Sequence, residues 1–293
     1  MLVINLINLA RLGGYAILLN MKTVLITGCS SGFGKASAKY FAAQGWNVIA
    51  TMRRPETEIE LAGIPNVFVT RLDVQEPATI ESAIREGIER FSRIDAVVNN
   101  AGFGLFGVFE ATPVEKIAEQ FNTNVFGVMN VTRLILSHFR ANKAGVIVNV
   151  SSGAGVFTLP MISLYCSSKF ALEGFSEALW YELASQNIAV KIIEPGGVVS
   201  TNFGVRSGAE AAHNNALPDY DQFIAKTNNV FAGLRKARLA TSEEVAKVIF
   251  DATTDGTNQL RYVATNDIVP LVKARRETSE EAYIKLMRAQ FAP

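Results

Sequence analysis

The apolar run Thr23-Val24-Leu25-Ile26-Thr27 leads straight into glycines at positions 28, 32 and 34. No other stretch narrows the fold as far. A short, continuous, β-branched run describes a strand buried on both faces, which is the habit of a parallel strand covered by helices. A helical pattern follows over residues 35–44. Glycines between a strand and a helix permit a tight turn. They also let a phosphate reach backbone N–H groups at the helix N-terminus. The spacing is Gly-x-x-x-Gly-x-Gly, and such a turn is also compatible with a purely structural role.

The alternation continues. Strand patterns are expected at 46–52, 67–72, 96–99, 146–150, 190–194 and 259–264, and helical patterns at 77–91, 113–140, 163–184, 241–251 and 279–287. Ile80, Ile84, Ile88 and Phe91 keep helical spacing within 77–91. Thr241-Ser-Glu-Glu244 reads as a capping box opening its helix. Strands alternating with helices imply parallel strands joined by right-handed crossovers. We expect one doubly wound α/β domain over 21–293, with about seven strands in the order 3-2-1-4-5-6-7 and helices on both faces. Residues 203–240, rich in Gly, Asn and scattered Phe, are expected to form an irregular or partly helical lid.

Composition excludes several classes. The net charge of +1 provides no general attraction to nucleic acid or anionic membrane. Cys29 and Cys166 are the two cysteines, too few for a disulfide framework or a Cys/His metal site, and a reduced cytoplasmic setting follows. Both read as small buried thiols. Residues 1–20 are apolar but interrupted by Asn5, Asn8, Arg11 and Gly13-Gly14. They make neither a good membrane span nor a convincing signal peptide. They are expected to lie outside the core, with a membrane-associated amphipathic segment as the alternative.

Chemistry gathers where strands end, because ligands of open α/β sheets bind beyond the carboxyl ends of the strands. Gly28, Arg53, Asp73, Asn99, Ser152 and Pro195 all stand just past such ends. A cofactor with a free ribose 2′-hydroxyl meets an Asp or Glu after the second strand. Here Met52 is followed by Arg53 and Arg54, so a 2′-phosphate and NADP (NADPH) are expected rather than NAD. Tyr165 and Lys169, four apart, share a helix face. An ammonium beside a phenol favours phenolate, and such a Tyr can exchange protons near neutral pH. Ser152 would hold the other side of a carbonyl oxygen. Asn99 can border a ligand or tie neighbouring strands together. Asn124 can be a satisfied amide within a packed helix.

The ordered set Thr27-Gly28-x-x-x-Gly32-x-Gly34, Asp73, Asn99-Asn100-Ala101-Gly102, Asn124-Val-Phe-Gly127, Ser151-Ser152, Tyr165-x-x-x-Lys169 and Pro195-Gly196 resembles the short-chain dehydrogenase/reductase family, from Met21 to about Ala264. Ala50-Thr-Met-Arg53-Arg-Pro and Ile193-Glu-Pro-Gly resemble its hydroxysteroid and retinol dehydrogenase group. The resemblance implies a Rossmann-type fold and hydride transfer between NADP(H) and a carbonyl/alcohol pair. It implies catalytic roles for Asn124, Ser152, Tyr165 and Lys169, with Asn124 holding a water that links Lys169 to solvent. It places Gly28, Gly32 and Gly34, with Ser30, Ser31 and Phe33 between them, at the cofactor. Arg53 would meet the 2′-phosphate. Asp73 and Val74 would border the adenine, and Asn99, Ala101 and Gly102 a ribose. Lys169 and Tyr165 would meet the nicotinamide ribose, and Pro195, Gly196 and Val198 the nicotinamide. The family's following Thr corresponds to Ser200 or Thr201. Phe103, Leu105, Phe106, Phe157, Leu159, Met161, Phe203 and Phe223 suggest a pocket for an apolar small-molecule substrate, or lid and core packing. The apolar helix over 163–184 suggests a homodimer or homotetramer. A regulator sensing NADP would keep the glycine turn without the proton relay, and an isomerase would use the same cofactor to another end.

Overall fold

The computed structural model describes residues 21–198, 217–234 and 239–291. The N-terminal extension, residues 203–216 of the expected lid, Ser200 and Thr201 lie outside the described residues.

In chain order the elements begin with β1 (Thr23–Thr27), α1 (Gly32–Ala43), β2 (Asn47–Met52), β3 (Val67–Arg71), α2 (Pro77–Phe91) and β4 (Ala96–Asn99). Next come α3 (Val114–Phe121), a π-helical turn (Asn122–Phe126), α4 (Gly127–Asn142), β5 (Gly145–Val150), α5 (Ser163–Ala184) and β6 (Ile188–Glu194). The chain closes with α6 (Asp221–Leu234), α7 (Ser242–Thr254), β7 (Arg261–Val263), α8 (Val269–Glu277) and α9 (Glu280–Phe291). All strand pairs are parallel, in the order β3-β2-β1-β4-β5-β6-β7. The expected strand order and helical layers are both observed.

Alternate side chains divide the interior into two layers. Val24 and Ile26 of β1 join Ala38 and Phe41 of α1 and Val245, Ile249 and Ala252 of α7 on one face. Leu25, Ile49, Val97 and Ile147 join Ile80 and Ile84 of α2, Ile135 and Phe139 of α4, and Leu179 and Leu183 of α5 on the other. This is the period of two written in the strands, met by the helical period of the covering elements. A fully buried Phe, Leu or Ile contributes about 1.5–3 kcal/mol, and both layers are built of such residues. A third cluster joins Val156 and Phe157 to Ile268, Val272 and Tyr283, so the C-terminal helices cover the region after β5.

Three boundaries depart from the sequence expectation. The helix expected over 113–140 is two helices joined by the π turn. Hydrophobic periodicity barely registers one inserted residue, whereas π turns recur at functional sites. The seventh strand shrinks to Arg261–Val263, which pairs with Ile192–Glu194 of β6. Residues 269–277 form α8, where no helix was expected. The capping box at Thr241 and Glu244 has both of its reciprocal bonds.

Candidate active site

The strand order reverses at β1, which opens a crevice between the ends of β1 and β4. Gly28 has φ +74° and Gly32 φ +54°, left-handed values that glycine adopts without strain. Gly34 is glycine for space: a Cβ there would stand 2.3 Å from the Gly28 carbonyl oxygen and 2.5 Å from Asn100 Nδ2. Asn100 fastens this turn by donating to the carbonyls of Thr27 (2.9 Å) and Gly28 (3.2 Å). Thr27 Oγ1 accepts from the N–H groups of Asn100 and Ala101, both at 3.0 Å. Ser31 precedes α1 in extended conformation and makes no side-chain cap, so the first-turn amides of α1 meet no cap from it. Ser30 is exposed at the rim, while Phe33 packs partly against the core. A cradle that a single methyl group would fill, lined by first-turn amides, fits a dinucleotide pyrophosphate.

The surrounding candidates fall into two kinds. Arg53 and Arg54 are exposed just past β2. Asp73 follows β3, and its Oδ1 accepts from Gln75 N at 3.0 Å. Val74 is buried, where a Cβ on Gly127 would strike it at 2.6 Å. The Asn99 side chain points inward, donating to Asn149 Oδ1 (2.8 Å) and Thr132 Oγ1 (3.3 Å). It therefore ties β4 to β5 and leaves its backbone to border a ligand. Ala101 and Gly102 continue that rim. A Cβ on Gly102 would meet Asn124 Oδ1 at 3.1 Å and Lys169 Nζ at 3.8 Å.

Ser152, Tyr165 and Lys169 come together at the end of β5. Ser152 caps the turn Gly153–Gly155 by accepting from Ala154 N at 3.1 Å. Its hydroxyl lies near enough to that of Tyr165 to favour the phenolate. Lys169 Nζ lies 5.7 Å from the centre of the Tyr165 ring and donates to the Val150 carbonyl at 2.9 Å. Asn124, in the π turn, accepts from Phe103 N (3.0 Å) and donates to Phe103 O (2.8 Å) and Ser168 Oγ (3.1 Å). Ser168 in turn donates to Tyr165 O at 2.8 Å. The Asn124 side chain thus clamps the β4 loop to α5.

Burial governs the ionisation of the pair. It pushes the Tyr165 phenol up to about 12, and the nearby Ser152 hydroxyl only partly opposes this. It pushes the Lys169 amine down to about 8, against the pull of the Glu173 carboxylate. The depressed phenol expected from a neighbouring ammonium is not present in the protein by itself, because burial of the phenol outweighs the opposing Ser152 hydroxyl.

Other elements hold the rim opposite. Pro195 O accepts from Gly153 N at 2.8 Å. Gly196 N donates to Thr265 Oγ1 and Gly197 N to Asp267 Oδ2, both at 2.8 Å. Val198 forms a parallel bridge with Ala240. Of the apolar candidates, Phe103, Leu105 and Phe157 are buried in the packing. Phe106 faces Phe231 of α6, ring centres 5.6 Å apart, while Leu159 and Met161 are only partly covered. Phe223 is half-buried on α6, and Phe203 lies outside the described residues. Asn100, Thr265 and Asp267 escaped the sequence reading. Asn100 stood in the quoted turn, whereas Thr265 and Asp267 reach the site only through the fold.

Comparison with known proteins agrees with this geometry. Residues 22–211 match the family model described as short chain dehydrogenase. An uncharacterized oxidoreductase of Schizosaccharomyces pombe is 37% identical over 240 residues, covering 82% of this chain and 99% of the relative. A short-chain dehydrogenase from Streptomyces avermitilis superposes with a TM-score of 0.77 at 31% identity, covering 92% of this chain and 94% of that one. The structure of ElxO with NADP bound gives 0.69 at 26% identity, over 83% and 98% of the two chains. A short-chain dehydrogenase/reductase from Burkholderia phymatum in complex with NAD gives 0.74 at 26%, over 94% and 98%. With this fold, this glycine turn and these relatives, the chain belongs to the short-chain dehydrogenase family of oxidoreductases.

Proposed function

We propose that the protein moves a hydride between NADP(H) and a carbonyl/alcohol pair, with Tyr165 as general acid and base. The observation that carries this is the gathering of Ser152 and Tyr165 over a buried Lys169, whose Nζ lies 5.7 Å from the centre of the Tyr165 ring, beside the glycine cradle. Gly28, Gly32 and Gly34 would hold the pyrophosphate, with Arg53 at the 2′-phosphate. The cofactor, when bound, supplies or accepts the hydride. The protein does the rest. Ser152 donates its hydroxyl hydrogen bond to the substrate oxygen. Tyr165 gives that oxygen a proton in reduction and takes one back in oxidation. Lys169, held by Val150 O, keeps positive charge beneath the phenol and so favours its ionised form. Asn124 fixes the loop that faces Lys169 and would hold a water that links Lys169 to solvent.

The partly covered Phe106, Leu159 and Met161 support an apolar carbonyl substrate. Phe170 and Tyr181 of α5 are 39% and 65% exposed, which supports pairing of copies along this helix in a cytoplasmic homo-oligomer. The test is fluorescence titration with NADPH and NADH, followed by NADPH consumption with aromatic aldehydes and steroid ketones. Tighter NADPH binding and turnover of apolar carbonyls are expected. Binding of neither cofactor would overturn the proposal.

A further inference from the structure

Behind the Tyr165–Lys169 pair lies a partly buried ionic network that hydride transfer does not itself require. Glu173 follows Lys169 by one turn of α5, and each residue is 6% exposed. Glu173 Oε2 accepts from Arg261 Nε of β7 at 3.0 Å. Arg261 also reaches Glu177 at 2.5 Å and Glu194 Oε1 at 3.7 Å. Glu194, fully buried at the end of β6, is gripped by both guanidinium nitrogens of Arg276 from α8. Glu177 is partly exposed, so the buried carboxylates of the network are Glu173 and Glu194. Among the described residues, the cation next along the Glu173 face of α5 is Lys169.

The turn after β5 packs closely on the helix face that carries Glu173 and Lys169. A Cβ on Gly155 would lie 2.9 Å from both Glu173 Cγ and Ser151 Oγ, and 3.1 Å from Lys169 O. Only a glycine lets the turn after β5 sit against this helix face. Glu173 Oε1 and Ser151 Oγ are buried with no bond of full hydrogen-bond geometry. The hydroxyl nevertheless lies near enough to favour the charged carboxylate.

We propose that Glu173, anchored by Arg261, is a positioning residue that keeps Lys169 in its ammonium form beneath Tyr165. This rests on the reading of Tyr165 and Lys169 as a proton relay. The groups facing Glu173 are Ser151 from the end of β5, Glu194 from β6, Arg261 from β7, and Lys169 and Glu177 on its own helix. Burial and Glu194 push the Glu173 carboxyl up, and Ser151 and Arg261 pull it back. A Glu carboxylate close to a buried amine raises that amine's pKa, so its removal lowers the midpoint.

The test is the titration of Lys169 in protein carrying ¹³C-labelled lysine, its resonance assigned by its loss in Lys169→Met. It is run beside the pH profile of kcat with NADPH and 4-nitrobenzaldehyde. Glu173→Gln is expected to lower the Lys169 midpoint by about one unit or more. Any turnover should fall about fivefold near pH 8 yet stay within about twofold near pH 6, the ratios expected for a one-unit shift from a midpoint of about 8. Glu177→Gln, which removes an Arg261 partner two turns from Lys169, should move the midpoint less than half as far. An unchanged midpoint in Glu173→Gln overturns the proposal. So does an equal shift in both variants, or a rate loss equal at every pH, since each assigns Glu173 a merely structural role. Full activity in Lys169→Met would instead remove the relay itself.

Discussion

Gly34→Ala and Gly174→Ala make the same chemical change in two helices and should have opposite effects. Replacing a helical glycine by alanine gains about 1 kcal/mol from reduced backbone entropy. Gly174 is exposed on α5, and a Cβ there meets nothing within 4 Å, so the gain stands alone. At Gly34 the new methyl would lie 2.3 Å from a backbone oxygen and 2.5 Å from the Asn100 amide. Relieving that contact displaces Asn100 and weakens its two bonds to Thr27 and Gly28, about 0.5–1.5 kcal/mol each. Overpacking a tight contact costs about 1–3 kcal/mol more. After the helical gain is subtracted, Gly34→Ala should be destabilised by about 3 kcal/mol, the middle of that range. The displaced turn should also lose at least about tenfold in NADPH affinity, or about 1.4 kcal/mol. Urea denaturation followed by circular dichroism and NADPH fluorescence titration measure the two quantities. A Gly34→Ala protein as stable as Gly174→Ala, with unchanged NADPH affinity, would refute the reasoning that this glycine is required by close approach.

Tyr165→Phe should keep NADPH binding and lose about 10²–10⁴-fold in kcat, because the ring remains while the proton donor is gone; stopped-flow NADPH oxidation checks both. Arg53→Ala should raise the Kd for NADPH by about 10–100-fold, the value of one charge-assisted bond, and leave NADH nearly unchanged. Asp255 gives a pH signature. Burial pushes its carboxyl up, but bonds from Tyr262, Thr257 and Lys191 prevail and hold it down at about 2. A depressed acid stabilises the fold above its unfolded pKa and loses that contribution as pH falls through the folded value. Asp255→Asn should therefore be less stable at pH 7, by less than about 1 kcal/mol given its exposure, and the difference should close between pH 4 and 2 in urea titrations.

Much of the architecture could be read from local pattern. The β1 run, the glycines after it and the Thr241 capping box each specify their structure over fewer than ten residues. Their instructions are steric or entropic and need no distant partner. The period of two in the strands and the wider apolar faces of the helices give the layers, and right-handed crossovers give the sheet order. The positions of Ser152, Tyr165 and Lys169 at the end of β5 follow from that order.

The tertiary structure decided what depends on distant contact. Sequence leaves Asn99 free to border a ligand or to join strands; only the neighbouring Asn149 and Thr132 turn its amide inward. The π turn that carries Asn124 is invisible to periodicity, since one extra residue scarcely alters an apolar stripe. The phenol expected to be acidified is raised instead, because burial is a property of the folded interior and not of the Tyr-x-x-x-Lys spacing. The network from Arg276 through Glu194 and Arg261 to Glu173 spans β6, β7, α5 and α8, so no local reading could assemble it. Spacing along the chain fixes which faces residues share; electrostatic environment is set by what the fold brings against those faces.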